Sequence, residues 1–494
     1  MKTQIHRLFS FVPPLAAGSG TSIAVGIVAS VSVLSACTVG PNYHGAPPVA
    51  TDAVHAASFV RTPAAGVASG PAPNAWWRAF GDSDLDELID AAFADNPDLH
   101  AAQARLREAR AQLSRQHADA LPQVSADAAA LRVRQPDVGA LAPSGSSGGG
   151  PLQLYVASLQ ASWEIDLFGG TRRAVEAASA QADAVDADLA DMQVALAAEV
   201  AQAYIDLRDE QERLALARDT AQVQQRMLSL TEQRRTRGTA ADVDVERLTS
   251  QVETTRATLV TLDGQIAEAL DRLAVLTGRP PGALDAKLAP AQPLPALPDS
   301  VPVGDPAALL RQRPDIRSAE RWLAASNAQI GEHIANYFPK LTLYGDLAFT
   351  AADPGHLFRK NNYAWLGVPY LQWDLLDFGR TAADVRGAKA SRDEARAKYE
   401  HAVLTALQDA NAALSRYGHE REHLVRLEAV QRSADRASAL MQERFTAGVA
   451  TLIDLLDTQR TAFSAQQDVV AGQAELLKDF VLIQKSLGLG WRRS

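Results

Sequence analysis

Two histidines and a glutamate occur at the spacing that zinc peptidases use. The run His419-Glu420-Arg421-Glu422-His423 matches the HExxH pattern, in which both histidines bind zinc and the first glutamate is the general base. A zinc hydrolase would also need a third ligand and a cleft. The segment 210 positions earlier, from Asp209 to Arg213, is an ordinary polar helix segment. We therefore interpret the motif as part of a solvated helix face and predict no metal, no cofactor and no enzymatic activity.

A second group of charged residues follows a glycine near the C-terminus. Asp454, Asp457 and Arg460 are spaced i, i+3 and i+6, which places them along one side of a helix. The run from Thr451 to Asp454 also fits a capping box, as does the run from Thr239 to Asp242. Capping accounts for Asp454 but not for Asp457, which lies outside the box, and the two roles are compatible.

The only cysteine in the chain, Cys37, ends a segment with the features of an export signal. Basic residues near the N-terminus precede an apolar run from Ile23 to Leu34, which is too short to span a bilayer. Small residues before Cys37 resemble the lipobox of bacterial lipoproteins, so we expect residues 1–36 to be removed and Cys37 to be acylated. Thr38 stands where an aspartate retains such lipoproteins in the inner membrane, and its presence predicts the outer membrane.

Composition limits the fold and the partners of the 494-residue chain. Apolar residues make up 47% and aromatic residues only 6%, which favours closely packed helices over a large aromatic core. The net charge is −10, and no basic stripe stands out, so we predict no nucleic-acid partner.

The chain contains an internal repeat. The stretch from Trp163 to Gly169 recurs 210 positions later, from Trp373 to Gly379, and Gly238 recurs at the same offset as Gly448. Earlier matches are 217 positions apart, as for Pro97 and Pro314. The difference of seven residues locates a loop insertion before Trp163, where the Gly/Ser run 144–150 lies. Two copies of one unit are therefore expected.

The repeat predicts a mainly helical α+β fold with two strands and two long helices in each copy. The predicted segments are a signal peptide at 1–36, an extended tether at 37–74, repeat one at 75–282, a Pro-rich linker at 283–304 and repeat two at 305–491. Strands are expected at about 122–134, 152–166, 339–350 and 363–376, and long helices at 171–237, 239–277, 381–447 and 449–487. Pro369 should restrict the last strand to a sheet edge or a bulge.

The first long helix carries heptad spacing. No glycine or proline interrupts residues 171–237, which would span roughly 100 Å as one helix. One apolar seam contains Val200, Ala203, Leu207, Leu214, Ala217, Ala221 and Leu228 and is interrupted by Glu210 and Gln224. A second seam begins at Val194, Ala197, Ala201 and Tyr204. Helices with two seams pack into sheets or cylinders.

These features together resemble the outer membrane factors, the TolC-like family, and in particular the lipoprotein channels of resistance-nodulation-division efflux systems. The resemblance extends from about residue 75 to Trp491. Its motifs are Trp76-Trp77 with Phe80, the run from Asn96 to Leu99, the run from Trp163 to Gly169 and the run from Thr451 to Arg460. Each motif alone is weak, but their order and spacing are specific.

The resemblance implies a homotrimer in which twelve strands close one outer-membrane barrel and the helices form a periplasmic tunnel. Four strands cannot close a barrel alone, and open edges in lipid leave backbone groups unsatisfied. The implied partners are outer-membrane lipid, a periplasmic adaptor and an inner-membrane resistance-nodulation-division transporter. The implied function is a passive exit channel of a tripartite efflux system. A type I secretion exit duct and a purely structural periplasmic coiled-coil lipoprotein remain alternatives.

The resemblance also implies a gate and two junctions. Matching positions make Ile453 an apolar constriction, Asp454 and Asp457 acidic rings, and Arg460 part of a salt-bridge lock, with Asp244 contributing from the neighbouring helix pair. Ala450 stands where some members have a locking arginine, so this lock should differ here. The residues of the two barrel-to-helix junctions would be Trp163, Phe168, Gly169, Trp373, Phe378 and Gly379.

Overall fold

The computed structural model describes residues 38–70, 73–134 and 152–492. In chain order its helices and strands are α1 (Thr51–Val54), β1 (Val67–Ser69), α2 (Ser83–Asp95), α3 (Pro97–Asp119), β2 (Gln123–Val133), β3 (Leu152–Ile165), α4 (Gly170–Thr236), α5 (Asp242–Leu276), α6 (Asp285–Leu288), β4 (Val301–Val303), α7 (Pro306–Gln312), α8 (Pro314–Ala335), β5 (Lys340–Ala351), β6 (Tyr363–Gln372), α9 (Arg380–Thr446) and α10 (Leu452–Ser486). Helices α4 and α9 have 67 residues each, and α5 and α10 have 35 each.

The chain forms two compact units, and neither corresponds to one sequence repeat. Of the described residues, those up to Tyr43 and those within Gln112–Ala178 and Ala325–Ser391 form one unit, and those within His44–Ala111 and Ser179–Ala324 and from Arg392 onward form the other. Each unit therefore combines segments of both repeats.

The first unit is built on a four-stranded antiparallel sheet with the order β2-β3-β5-β6. Strand β6 lies at an edge, and Pro369 in it stands opposite Leu343 of β5. The predicted strand 363–376 was too long, because β6 ends at Gln372 and the chain leaves the sheet before Trp373.

The second unit contains the main hydrophobic core. The indole rings of Trp76 and Trp77 are buried and meet edge to face, and Phe480 packs on Trp76 in the same manner. Arg208 of α4 is also fully buried in this unit. Its guanidinium forms an ion pair with Asp84 and donates to the carbonyl oxygen of Pro290. Both terminal nitrogens of the guanidinium have partners inside the core, which offsets the cost of burying the charge, while Nε has none among the described residues.

The apolar seams of α4 are buried as their spacing predicts, except at Ala221, which is half-buried. Val200, Ala203, Leu207, Leu214, Ala217 and Leu228 are buried, as are Val194, Ala197, Ala201 and Tyr204 of the second seam. Helices α4 and α9 end before Gly238 and Gly448, whose φ angles of 72° and 77° fit the left-handed cap that favours glycine. The following helices begin later than predicted, at Asp242 and Leu452 rather than 239 and 449.

Two segments predicted to lack structure contain packed elements. Val54 and Phe59 of the expected tether 37–74 are buried, and β1 pairs in parallel with β4, which lies in the expected linker 283–304. Isolated apolar residues among alanine, proline and glycine produce no periodic signal, yet Val54 and Phe59 belong to the hydrophobic core.

Candidate functional site

The strand registers sort the sheet residues onto two different faces. Residues directly opposite each other on neighbouring strands share a face. One face, here called the apolar face, contains Val124, Ala126, Ala128, Ala130 and Arg132, then Gln153, Tyr155, Ala157, Leu159, Ala161, Trp163 and Ile165, then Leu341, Leu343, Gly345, Leu347, Phe349 and Ala351, and finally Tyr363, Trp365, Gly367, Pro369 and Leu371. Arg132 and Gln153, which pair with each other, are its charged and amide members.

The opposite face, here called the polar face, carries most of the hydrophilic side chains of the sheet. Asp127 pairs with Ser158, Gln160 pairs with Asp346, and Ser162 pairs with Tyr344. The alternation therefore separates one face suited to an apolar environment from another suited to water.

The sheet has two strands with a free edge in the described part of the chain. Strand β2 pairs only with β3, and strand β6 pairs only with β5. Large apolar side chains on β6, among them Trp365 and Leu371, are exposed. A long apolar edge strand is a template for pairing with another chain.

The two predicted junctions have the same tryptophan hydrogen bond. Trp163 donates its indole N–H to the carbonyl oxygen of Ala120 at 3.0 Å, and Trp373 donates to the carbonyl oxygen of Tyr337 at 3.0 Å. Gly169 and Gly379 follow with φ angles of 84° and 88°, which side chains rarely adopt. Each strand thus turns into its long helix at a glycine.

The phenylalanines at the two junctions lie in different surroundings. Phe168 stacks on Phe338 with ring centroids 4.5 Å apart and planes 18° apart. Phe378 is 98% exposed in the single chain, and its φ of 53° is unusual for a residue with a side chain.

A buried arginine that the sequence analysis did not single out holds the N-terminal segment at the first junction. Arg173 is 3% exposed, and its guanidinium donates to the carbonyl oxygen of Val39 at 3.1 Å, to that of Gly40 at 3.3 Å and to the Asn42 side chain at 2.7 Å. Glu176 accepts from the same group at 2.7 Å.

Close backbone approaches complete this clamp. A Cβ atom at Gly331 would lie 2.8 Å from the Arg173 side chain, and one at Gly40 would lie 2.4 Å from Gly331. Asn327 donates to the carbonyl oxygen of Pro41 at 3.0 Å. The sequence offers one signal for the clamp. Arg173 follows the Trp163–Gly169 stretch, whereas the equivalent position in the second copy is Ala383.

The residues at the N-terminal end of α10, from Thr451 to Arg460 and here called the tip, combine helix capping with exposed charge. The carboxylate of Asp454 accepts from the Thr451 hydroxyl at 2.7 Å and from the Thr451 backbone N–H at 3.2 Å. These hydrogen bonds lower the pKa of Asp454. The predicted capping box at Thr451 is therefore present.

Asp457 and Arg460 form an ion pair at 2.8 Å, with side chains 64% and 68% exposed. Ile453 is also exposed, although Leu452 beside it is buried against Leu228 and Leu248. The tip thus has a buried anchor and an exposed row of Ile453, Asp457 and Arg460.

The capping box predicted from Thr239 to Asp242 was wrong. The Thr239 hydroxyl donates to the carbonyl oxygen of Arg234 and so belongs to the end of α4. The N-cap of α5 is Ala241, which has no hydroxyl, and Asp244 accepts only from the Ala241 backbone N–H at 3.4 Å. The register differs because the residue equivalent to Thr451 is Ala241.

The HExxH residues lie on α9 with local partners. The His419 ring bonds to the carbonyl oxygen of Ser415 at 2.7 Å, and the His423 ring lies 3.3 Å from Glu420. Within residues 38–70, 73–134 and 152–492 there is no group of three or more metal-ligating side chains placed to hold an ion.

Cys37 and the Gly/Ser run 144–150 lie outside the described residues. No helix among the residues that the structure describes is both long and apolar enough to cross a bilayer.

Known proteins resemble this chain over nearly its full length. It is 33% identical to the pyoverdine export outer membrane protein OpmQ of Pseudomonas aeruginosa, covering 94% of this chain and 97% of that protein. It is 31% identical to the outer membrane protein OprJ of the same species, covering 93% and 94%.

Solved structures have the same fold. The outer-membrane channel OprN aligns with a TM-score of 0.80 and 36% identity, over 92% of this chain and 100% of that one. The open state of the MtrE outer membrane channel of Neisseria gonorrhoeae aligns with a TM-score of 0.80 and 27% identity, over 93% and 99%. A sequence model described as "Outer membrane efflux protein" matches residues 88–279 and 306–489. The chain therefore belongs to the outer membrane efflux protein family.

Proposed function

We propose that three copies of this chain form one outer-membrane exit channel, in which twelve strands close a barrel and the long helices continue it into the periplasm. The observation that carries this proposal is the apolar face of a four-stranded sheet with two free edges. In lipid each unpaired backbone group costs several kcal/mol, so closure with other copies is strongly favoured. The apolar face would meet lipid, and the polar face would line water.

The channel would receive its cargo from an inner-membrane resistance-nodulation-division transporter through a periplasmic adaptor. Support comes from the relatives, which are named for pyoverdine export, for toluene efflux and for antibiotic efflux. These names differ in cargo while the chains remain similar over most of their length, which fits a passive duct whose cargo is selected by the pump.

The tips of the helical hairpins would form the periplasmic gate. Ile453 would narrow the tunnel, Asp454 and Asp457 would form acidic rings, and Arg460 would join a salt-bridge network to which Asp244 contributes. Support comes from the exposed ion pair of Asp457 and Arg460, which is available for rearrangement between copies. Acidic rings attract cations and disfavour anions. Asp454 would keep its capping role beside the ring.

Lipid on Cys37 would anchor each copy independently of the barrel. Acyl chains contribute about 0.8 kcal/mol for each buried methylene group, so a multiply acylated cysteine holds a chain firmly on a bilayer. The junction residues Trp163, Phe168, Gly169, Trp373, Phe378 and Gly379 would stand where the barrel meets the helical tunnel.

Reconstitution of the purified full-length protein into planar bilayers tests the proposed function. We expect discrete conductance steps that favour cations, and we expect a deletion strain to accumulate an efflux dye unless the chain is restored. Absence of conductance from protein that is folded and inserted would contradict the channel and favour a structural lipoprotein.

A further inference from the structure

Resting on the proposed trimer, we infer that β6 of one copy pairs with β2 of the next at a defined register, with Val368 opposite Leu131 of the partner subunit. The internal repeat determines this register, because the same strand pairings occur twice with constant offsets. The inference concerns which residues meet and is separate from the number of copies.

The two offsets relate strand pairs that are both observed within the chain. Residues of β2 and β5 correspond at an offset of 217, and residues of β3 and β6 at an offset of 210. The β2–β3 pair of Gln123 and Ser162 thereby becomes Lys340 and Gln372, which are the paired residues observed between β5 and β6.

The same offsets convert the observed pairing of β3 with β5 into a pairing of β6 with β2. Ser158 stands opposite Ala348, and the corresponding residues are Val368 and Leu131. Since β6 and β2 lie at opposite edges of the sheet, and four strands cannot close a barrel, this pairing requires a second copy.

The side chains that meet at this register are compatible. Leu366 stands opposite Val133 of the partner subunit, so apolar side chains meet, and Gln372 stands opposite the partner's Asp127, so polar ones meet. Gly367 stands opposite the partner's Arg132, and glycine leaves space for that long side chain. A slip of one residue would instead join the apolar face of one copy to the polar face of the next.

The junction gives a second contact, outside the strands. The stack of Phe168 on Phe338 corresponds, by the same offsets, to Phe378 on Leu121 of the partner subunit. Phe378 is 98% exposed and Leu121 62% exposed in the single chain, so both side chains are uncovered where this contact requires them. The next copy therefore covers the phenylalanine that protrudes from the second junction.

Disulfide crosslinking in the full-length chain tests the register. The matched variant carries Leu131→Cys and Val368→Cys, whose Cα atoms would lie about 4.5–5.5 Å apart across neighbouring copies, within disulfide reach. Two control variants combine Leu131→Cys with Tyr370→Cys or with Leu366→Cys. These controls share the face but are diagonal pairs at about 7–8 Å, beyond the usual reach. Single-cysteine variants show whether native Cys37 reacts.

We expect the matched variant to form covalent dimers and trimers several-fold faster than both controls on non-reducing gels. Faster crosslinking by a control, or none by the matched variant in protein that is trimeric in detergent, would overturn the register and leave the proposed channel standing. Monomeric protein without crosslinks would overturn both. The pair Leu121→Cys with Phe378→Cys, outside the strands, provides the same test if the strand variants fail to insert.

Discussion

The indole N–H of Trp163 lies 3.0 Å from the carbonyl oxygen of Ala120, and this hydrogen bond ties the end of β3 to the residues just before β2. Trp373 and Tyr337 repeat the bond at the second junction. Replacing either tryptophan with phenylalanine keeps an aromatic side chain but removes the N–H donor. We expect Trp163→Phe and Trp373→Phe each to lower the free energy of unfolding by about 1 kcal/mol. Each variant should therefore unfold at a lower temperature.

Trp322→Phe is the matched control, because Trp322 is exposed on α8 and takes no part in either junction hydrogen bond. On heat-modifiability gels, we expect the two junction variants to show an equal drop in unfolding temperature and Trp322→Phe to show none. A loss at only one junction would contradict the equivalence of the two copies.

The clamp around Arg173 predicts a separate effect on the N-terminal segment. Arg173→Met should release residues 38–42, because the buried guanidinium provides their carbonyl groups with donors. We expect a cysteine introduced as Val39→Cys, at a half-buried position whose clamp contact is made by the backbone, to react with a water-soluble maleimide about ten-fold or more faster in this background, as local opening by 1.4 kcal/mol would give. Arg396→Met, which removes an exposed arginine on α9, is the control. Equal reactivity in all backgrounds would show that the clamp does not hold the segment.

The proposed gate predicts a change in conductance. Asp457→Ala with Arg460→Ala removes an exposed ion pair at the tip of α10, and we expect a higher single-channel conductance because the closed end loses a lock. The control Arg432→Ala with Glu428→Ala removes another exposed pair, on α9. Unchanged conductance in the gate variant would exclude this pair from the lock.

Glu210 interrupts the buried seam of α4 and gives a pH-dependent prediction. Burial raises the pKa of Glu210 to about 7, and the neighbouring carboxylates of Asp206 and Asp209 raise it further in the same direction. A raised pKa in the folded state means that stability is full below about pH 4.5 and falls as pH rises toward 7, since the charged form is disfavoured.

We therefore expect Glu210→Gln to raise the unfolding temperature above pH 7, with a gain on the order of 1–3 kcal/mol, and to change little at pH 4. Circular dichroism melts of the detergent-solubilised protein measure the effect. The exposed Glu246→Gln is the control and should show no pH-dependent difference. A gain for Glu210→Gln that is the same at both pH values would contradict the assigned cause.

The internal repeat, the heptad spacing and the glycines that end helices predicted most of the helices and strands, because these signals are periodic or local. The ends of α4 and α9 follow from Gly238 and Gly448, and the alternation in β5 is readable in the sequence. The residues that stand opposite each other on neighbouring strands could not be predicted, because register depends on contacts between distant segments. The Arg173 clamp was missed because backbone carbonyl groups leave no signature in a sequence, and the Thr239 cap was misplaced because two adjacent turns share the same short run.

The central claim is that three copies of this chain close one channel. Native mass spectrometry of the full-length protein released from detergent micelles tests it most directly. The proposal predicts an assembly of three chains whose mass includes acyl groups on each Cys37 and which persists until heating. A monomer or a dimer as the stable species would contradict the twelve-stranded barrel.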